Sequence, residues 1–460
     1  MRRIRYNSPM TQMVIMSFVC FFCPGMFNAL NAMGGAGQID REASNNAHTG
    51  LYSTFIVFGL LGGAIVNLLG VRWTIFASGL TYSLYSSSFI YLNSTGNGAF
   101  TIATGPILGI GAGILWSAQG MIMMSYPVES QKGRYIAIFW VIFNLGGVIG
   151  GIVPFATNYH QGDNKTAVPL SNAGYIVFIA LEALGAASAL FLAPPSRVIR
   201  DDGSHVVLIN YTSVGFEAKE ILRLFRNRWM LLLVPMSVVS NFFYTYQYGP
   251  YNGSIFTLRT RGLNSMLYWA SQMAAAYAIS FLHDYRAISR RQRGIYSLVL
   301  LTILANVMWG CTLIVQNRYT HGPLANGEPT DYPNGLIDFK ESSRAAGPII
   351  LYCFMGAVDA VWQSYAYWII GTMTNDSQML ARYAGFYKGV QSLGATVAWQ
   401  LDAQSVPLMT QLIVNWVLMV LAMPFMFYVA ANVKDTSEEI EALPANDWQT
   451  KYYASISDIL

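Results

Sequence analysis

Charge is what this chain has least of: Asp, Glu, Lys and Arg make up 11% of its 460 residues, against 54% hydrophobic. Soluble domains carry roughly 25% charged residues, so the polar surface needed to stay dispersed in water is missing. A formal net charge of +4 is too small to indicate a nucleic-acid partner. Cysteine is sparse as well. Cys20, Cys23, Cys311 and Cys353 all fall in apolar stretches and build no disulfide framework in the loops. Cys20 and Cys23 have the spacing of a metal pair, but no second ligand pair or nearby histidine accompanies them. They read as small apolar filler, and no metal or other cofactor is expected. Zincin, phosphate-loop and nucleophile-elbow patterns are missing, which argues against an enzyme. No histidine is expected at the middle of a span, where a proton relay would need one.

What the chain has instead is apolar length. Twelve stretches suited to transmembrane helices lie near 10–33, 50–69, 73–92, 99–125, 134–156, 173–194, 229–250, 265–282, 294–316, 345–370, 382–402 and 407–430. They predict an all-α integral membrane protein of twelve helices in two pseudo-symmetric six-helix halves, 10–194 and 229–430. A short segment, 1–9, precedes the first half, and the first span reads as an uncleaved signal anchor. A charged loop, 195–228, joins the halves, and an acidic tail, 431–460, follows them. The lipid bilayer is the first partner such a bundle must have. It can move something across the membrane or hold another protein within it.

Alternating spans put 20 of the 27 Lys and Arg on the side of the N-terminus, which places both termini in the cytosol by the positive-inside rule. The sequons at Asn93, Asn164 and Asn252 fall outside on this topology, and those at Asn210 and Asn375 fall inside. In the central loop, 205–211 suits a short strand. Residues 216–228 suit an amphipathic helix on the membrane surface, with Ile221, Leu222 and Phe225 opposite Lys219, Arg223 and Arg226. The loop 317–344 reads as an irregular cap. The tail reads as disordered, with Tyr453-Ala-Ser-Ile456 fitting a loose tyrosine-based sorting pattern.

The halves repeat one another. Arg134-Tyr135 and Leu145-Gly146 recur as Arg382-Tyr383 and Leu393-Gly394 at one constant offset. Spans four and ten both open on Gly-Pro, at Gly105-Pro106 and Gly347-Pro348, and carry Trp116 and Trp362 further along. Internal repetition of this kind is how many transporter folds are built.

Polar residues inside the spans are the candidate site, because a charge at the bilayer midplane is costly and normally faces the bundle interior. Asp359 has Gln363 one turn on and Tyr352 two turns back, on one face of span ten. A carboxyl there can carry a proton or bind a cation; the alternative is a structural acid bonded to a neighbouring helix. Glu182 faces Gly185, Ala186 and Ala189, a small-residue stripe that favours a structural role. Asp402 ends span eleven at the outer interface and needs no special role. Lys388, with Gln391 on its face, either snorkels to the interface, pairs with Asp359 or binds an anionic group. The first half supplies the neutral groups Asn28, Asn31, Gln119 and Asn144, and span seven supplies Tyr244. Pro24-Gly25 interrupts the first span, as breaks at ligand sites do, although kinks alone are commoner.

The loop after span two, Gly63-Ala-Ile-Val-Asn67-Leu-Leu-Gly70-Val-Arg72, resembles the signature loop of the major facilitator superfamily. There an acid and a base latch a gate; here Asn67 replaces the acid and Arg72 remains. The corresponding loop in the second half keeps Asp284 and Arg286. A basic inside loop obeying topology alone explains the same residues.

A narrower resemblance rests on Cys23-Pro24-Gly25-Met26-Phe27-Asn28, Gly113-Ile-Leu-Trp116-Ser-Ala-Gln119-Gly120, Tyr244-Thr-Tyr246-Gln247, Asp359-Ala-Val-Trp362-Gln363 and Gly385-Phe386-Tyr387-Lys388-Gly389-Val390-Gln391-Ser392. Together these are similar to the fungal branch of the uncoordinated-93-like family, a divergent group within the major facilitator superfamily, over nearly the whole chain. The resemblance implies the major facilitator fold. Animal relatives include a potassium-channel regulatory subunit and a trafficking chaperone for nucleic-acid-sensing receptors, while the fungal members are regarded as transporters. Two functions follow. One is a secondary transporter of a small solute or ion, with Asp359, Gln363, Lys388 and Gln391 facing Asn28, Asn31, Gln119 and Tyr244. The other is a non-transporting adaptor that escorts or regulates a membrane-protein partner.

Overall fold

The computed structural model describes residues 5–38, 41–127, 132–157, 159, 169–200, 203, 214–319, 321–325, 328–331, 335–374 and 377–434. The first half comprises α1 (Pro9–Phe22), α2 (Pro24–Ala32), α3 (Glu42–Leu69), α4 (Val71–Thr95), α5 (Ala99–Ser125), α6 (Lys132–Thr157) and α7 (Asn172–Ser188). After α8 (Val214–Leu224) the second half comprises α9 (Arg228–Leu232), α10 (Val234–Tyr246), a π-helical stretch (Gln247–Gly253), α11 (Leu258–His283), α12 (Arg290–Tyr319), α13 (Ser342–Gly371), α14 (Ser377–Ala403) and α15 (Leu408–Ala431). Span one is α1 with α2, span seven is α9 with α10 and the π-helical stretch, and single helices make the other ten.

Leu184, Phe281, Ile303, Ile350 and Leu421 are all exposed on the outside of these helices. Apolar side chains arrayed outward are suited to lipid, where helices satisfy their own backbone groups. Among the described residues eight spans are long and apolar enough for the bilayer by composition; α3, α4, α11 and α14 match them in length. Three of these four, α3, α11 and α14, make the principal contacts between the halves, α3 with α14 and α11 with α6.

The break in span one falls at Cys23, whose backbone leaves the helical region (φ −91°, ψ −84°). Pro24 cannot donate to the preceding turn, so it starts a new helix instead. After α2, Gly34 takes a left-handed φ of +80°, and a Cβ there would stand 2.6 Å from the Tyr248 carbonyl oxygen of the other half.

The sequence repeat has a packing cause. A Cβ on Gly146 in α6 would meet the Phe21 carbonyl oxygen of α1 at 2.2 Å. A Cβ on Gly394 in α14 would meet the Val238 carbonyl oxygen of α10 at 2.1 Å. The two glycines thus let equivalent helix pairs touch backbone to backbone. The Gly-Pro match is less even. Gly105 abuts the Ala47 carbonyl oxygen at 2.1 Å, whereas Gly347 faces open space.

Several expectations are corrected. Span two begins at Glu42 and span eight at Leu258, each about two turns earlier than the apolar pattern indicated. The added turns are polar (Ser44, Asn45 and His48; Arg259, Thr260, Arg261 and Asn264), yet these side chains are buried between helices. His48 is therefore a buried helix residue, about two turns into α3 and away from the middle of the span. The 317–344 loop carries an antiparallel hairpin, β1 (His321–Ala325) with β2 (Glu328–Asp331). Asn326-Gly327, between them in sequence, is the dipeptide that favours such a turn. Asn252 is fully buried and donates to the Ala32 carbonyl at 2.6 Å, so its sequon presents no acceptor in this fold. The expected strand at 205–211, the tail beyond 434, and Asn164, Asn210 and Asn375 lie outside the described residues.

Candidate functional site

Between the halves lies a cavity of about 60 Å³. That is room for roughly four to six waters in this conformation. The first half gives it an apolar and aromatic wall that includes Phe27, Tyr52, Trp116, Trp140 and Phe143, with Asn28 as an amide. The second half gives the polar wall: Asn241, Tyr244, Gln272, Gln363, Lys388 and Gln391, beside Trp269.

Helical spacing explains the polar wall. Lys388 and Gln391 lie on one face of α14, and the lysine Nζ donates to Gln391 Oε1 at 2.9 Å. Gln391 Nε2 donates to Gln363 Oε1 at 3.3 Å, and Tyr387 Oη donates to the same oxygen at 2.8 Å. Gln363 Nε2 donates to the Ser240 carbonyl at 2.7 Å, tying α13 to α10. The lysine is held by rings as well as by the amide. Its Nζ lies 4.8 Å from the centroid of Trp116, 5.5 Å from Tyr367 and 5.6 Å from Tyr387. Such contacts steady a desolvated ammonium.

Asp359 stands behind this wall. Gln272 Nε2 donates to its Oδ2 at 2.6 Å, and Tyr268 Oη lies 3.1 Å from the same oxygen. Tyr268 Oη is also 2.8 Å from Gln247 Oε1, in the π-helical stretch. One hydroxyl has one proton, so Tyr268 donates to the carboxyl or to the amide at any moment. The state of Asp359 is thereby tied to span seven.

Of the eight candidate residues, the structure brings Asn28, Tyr244, Gln363, Lys388 and Gln391 to the cavity and sets Asp359 just behind it. Asn31 instead donates to the Phe27 carbonyl of its own helix, and Gln119 to Met123 Sδ. Lys388 hydrogen-bonds to Gln391; its charge and that of Asp359 act on one another without a contact as short as 4.0 Å. Glu182 is fully buried within the first half, and its carbonyl accepts from Cys23 Sγ at 3.4 Å. The sequence reading missed Gln272 and Tyr268, which sit one turn apart on α11; that i, i+4 polar pair was the available signal.

The signature-loop residues form no charged latch among the described residues. Arg72 donates through Nε and Nη2 to the Leu192 carbonyl, at 3.1 and 3.0 Å, within its own half. Asp284 and Arg286 are exposed beyond α11. Partial desolvation pushes the Asp284 carboxyl up, against the pull of Arg293 and Arg286. Gly63 and Asn67 lie near the end of α3, and their surroundings are outside the described residues.

The charges that do join the halves are at the distal face, opposite the one where α1 begins. Asp402, for which no special role was expected, is buried there and bridges to Arg41. Around it the last carbonyls of α2, which its own helix cannot satisfy, accept from the second half. Ser265 Oγ donates to Ala29 at 3.1 Å, Tyr352 Oη to Ala32 at 3.1 Å and Arg261 Nη1 to Met33 at 3.4 Å. The broken first span thus ties the two halves together at the distal face.

This two-halved, twelve-helix arrangement is that of the major facilitator superfamily. The proton:xylose symporter XylE superposes with a TM-score of 0.60 at 14% identity, covering 94% of this chain and 99% of that one. The transporter FucP, in its outward conformation, gives 0.58 at 13% identity over 94% of this chain and 100% of that one. The chain belongs to the UNC-93 family: residues 35–427 match the family described as "Ion channel regulatory protein UNC-93". It is 47% identical to UNC93-like protein 1 of Arabidopsis thaliana over 95% of this chain and 94% of that protein. It is 41% identical to UNC93-like protein C922.05c of Schizosaccharomyces pombe over 96% of this chain and 86% of that protein. Fold and family agree with what the residue patterns resembled.

Proposed function

We propose that this protein is a secondary transporter of a small solute, working by alternating access with both termini in the cytosol. The observation that carries the reading is the cavity: it lies between the halves, is walled by polar groups of the second half, and has the halves bonded to one another at the distal face. In this reading Gln363, Lys388 and Gln391 with Tyr244 and Asn28 contact the solute, and Asp359 is the coupling group. A protonated Asp359 donates to Tyr268, which then donates to Gln247; an ionised Asp359 accepts from Tyr268 and releases Gln247. Proton binding is thereby relayed to the π-helical end of span seven, which packs on Gly34 at the distal face. The test compares solute accumulation in cells carrying the wild type, no copy, or Asp359→Asn. Some solute should depend on the wild type and be lost in the variant at equal membrane abundance. Equal accumulation in all three sinks the reading.

A second reading, that of a channel-regulating adaptor, is favoured by the family's description as an ion channel regulatory protein and by the aromatic first-half wall. It requires a membrane protein that co-purifies in gentle detergent at native expression. Recovery of the chain alone counts against it.

A further inference from the structure

We propose that the solute bound in the cavity is a small organic monoanion of the carboxylate type, held at Lys388. The inference rests on reading the cavity as a solute site and adds the chemical class. Lys388 is the one charged side chain lining the cavity among the described residues. No described carboxylate lies within 4.0 Å of its Nζ. Of its three N–H groups, one serves Gln391 Oε1, and around the remainder are the faces of Trp116, Tyr367 and Tyr387. Ring faces attract an ammonium more weakly than an anion does. The cage therefore parks the amine at the cavity wall and lets an arriving anion take it.

The alternatives fit worse. An organic cation would meet a like charge with no carboxylate on the wall, because Asp359 stands behind it and not among the lining residues. A neutral polyol would bring no charge to the ammonium's remaining N–H groups in a desolvated space. A dianion would bring one charge more than the wall can answer. The anion's oxygens can also accept from the amide of Asn28, while Trp140, Phe143 and Trp269 provide contact for a short apolar body. The cavity's size confines that body to a few carbons.

The test is intrinsic tryptophan fluorescence of the purified full-length protein in detergent, since Trp116, Trp140 and Trp269 line the site. Lactate and butyrate are titrated beside tetramethylammonium and xylose at constant ionic strength. Saturable quenching by a carboxylate is expected, weakened about tenfold or more in Lys388→Gln. Gln391→Glu, which supplies the amine with an internal acid, should weaken it equally in a chain that keeps its charged lysine. Carboxylate quenching that is absent in the wild type, or unchanged in both variants, overturns the proposal. Saturation by xylose or tetramethylammonium alone overturns the anion class and leaves the transport reading standing. The transport reading itself fails separately, on the accumulation assay.

Discussion

Arg41 Nη1 stands 4.0 Å from Asp402 Oδ2, joining the start of α3 in the first half to the end of α14 in the second. Both side chains are buried, and Asp402 also accepts from Asn45 Nδ2 at 2.8 Å and Gln411 Nε2 at 3.1 Å. Space for the guanidinium comes from Gly249, where a Cβ would stand 2.6 Å from Nη1. Removing one partner of a buried ion pair costs about 3–5 kcal/mol. Two transporter states commonly differ by only a few kcal/mol.

Asp402→Ala should therefore open the distal face. Deuterium uptake of peptides covering 34–48 and 247–256 should rise, while uptake in the core of α12 stays as in the wild type. Uptake unchanged in the distal peptides would show that the pair does not hold that face shut.

The paired glycines give a test of the internal repeat. Gly146→Ala and Gly394→Ala each force a Cβ into a neighbouring helix backbone, which overpacking makes worth about 1–3 kcal/mol. Gly347→Ala meets nothing within 4 Å and, inside α13, should be neutral or slightly stabilising. Thermal unfolding in detergent should rank Gly146→Ala and Gly394→Ala together below the wild type, and Gly347→Ala at or above it. Equal midpoints for all three would mean that the helix pairs do not depend on backbone contact.

The twelve spans and the repeat were readable because bilayer length and backbone approach both leave marks in composition: apolar runs and recurring glycines. The polar starts of α3 and α11 left no such mark. Asn45, His48, Arg259 and Asn264 look like loop residues, and only the packing of one half on the other buries them. Asp402 was misjudged for the same reason, since its partner Arg41 is remote in sequence. Within the site, Lys388 with Gln391 and Asp359 with Gln363 were visible as neighbours on one helix face. That Gln391 takes the lysine and Gln272 takes the carboxyl depends on how α11, α13 and α14 converge.

The loop before α13 makes a pH prediction. Arg259 Nε donates to Asp338 Oδ2 at 2.6 Å, Thr257 Oγ1 to the same oxygen at 2.8 Å, and the Lys340 N–H to Oδ1 at 3.0 Å. Desolvation pushes the Asp338 carboxyl up, but these hydrogen bonds and the Arg259 charge outweigh it and hold it below the usual carboxylate range. A carboxyl whose folded value lies below its unfolded value of about 3.9 favours the folded state most above that value. The contribution is lost as pH falls from about 4 through the folded value. Asp338→Asn should then be less stable than the wild type by on the order of 2 kcal/mol between pH 5 and 7, the scale of hydrogen bonds to a charged group. Below about pH 4 the two thermal unfolding midpoints should converge, because the wild type loses what the variant never had. A gap that stays constant down to pH 3 would assign the variant's loss to shape rather than to charge.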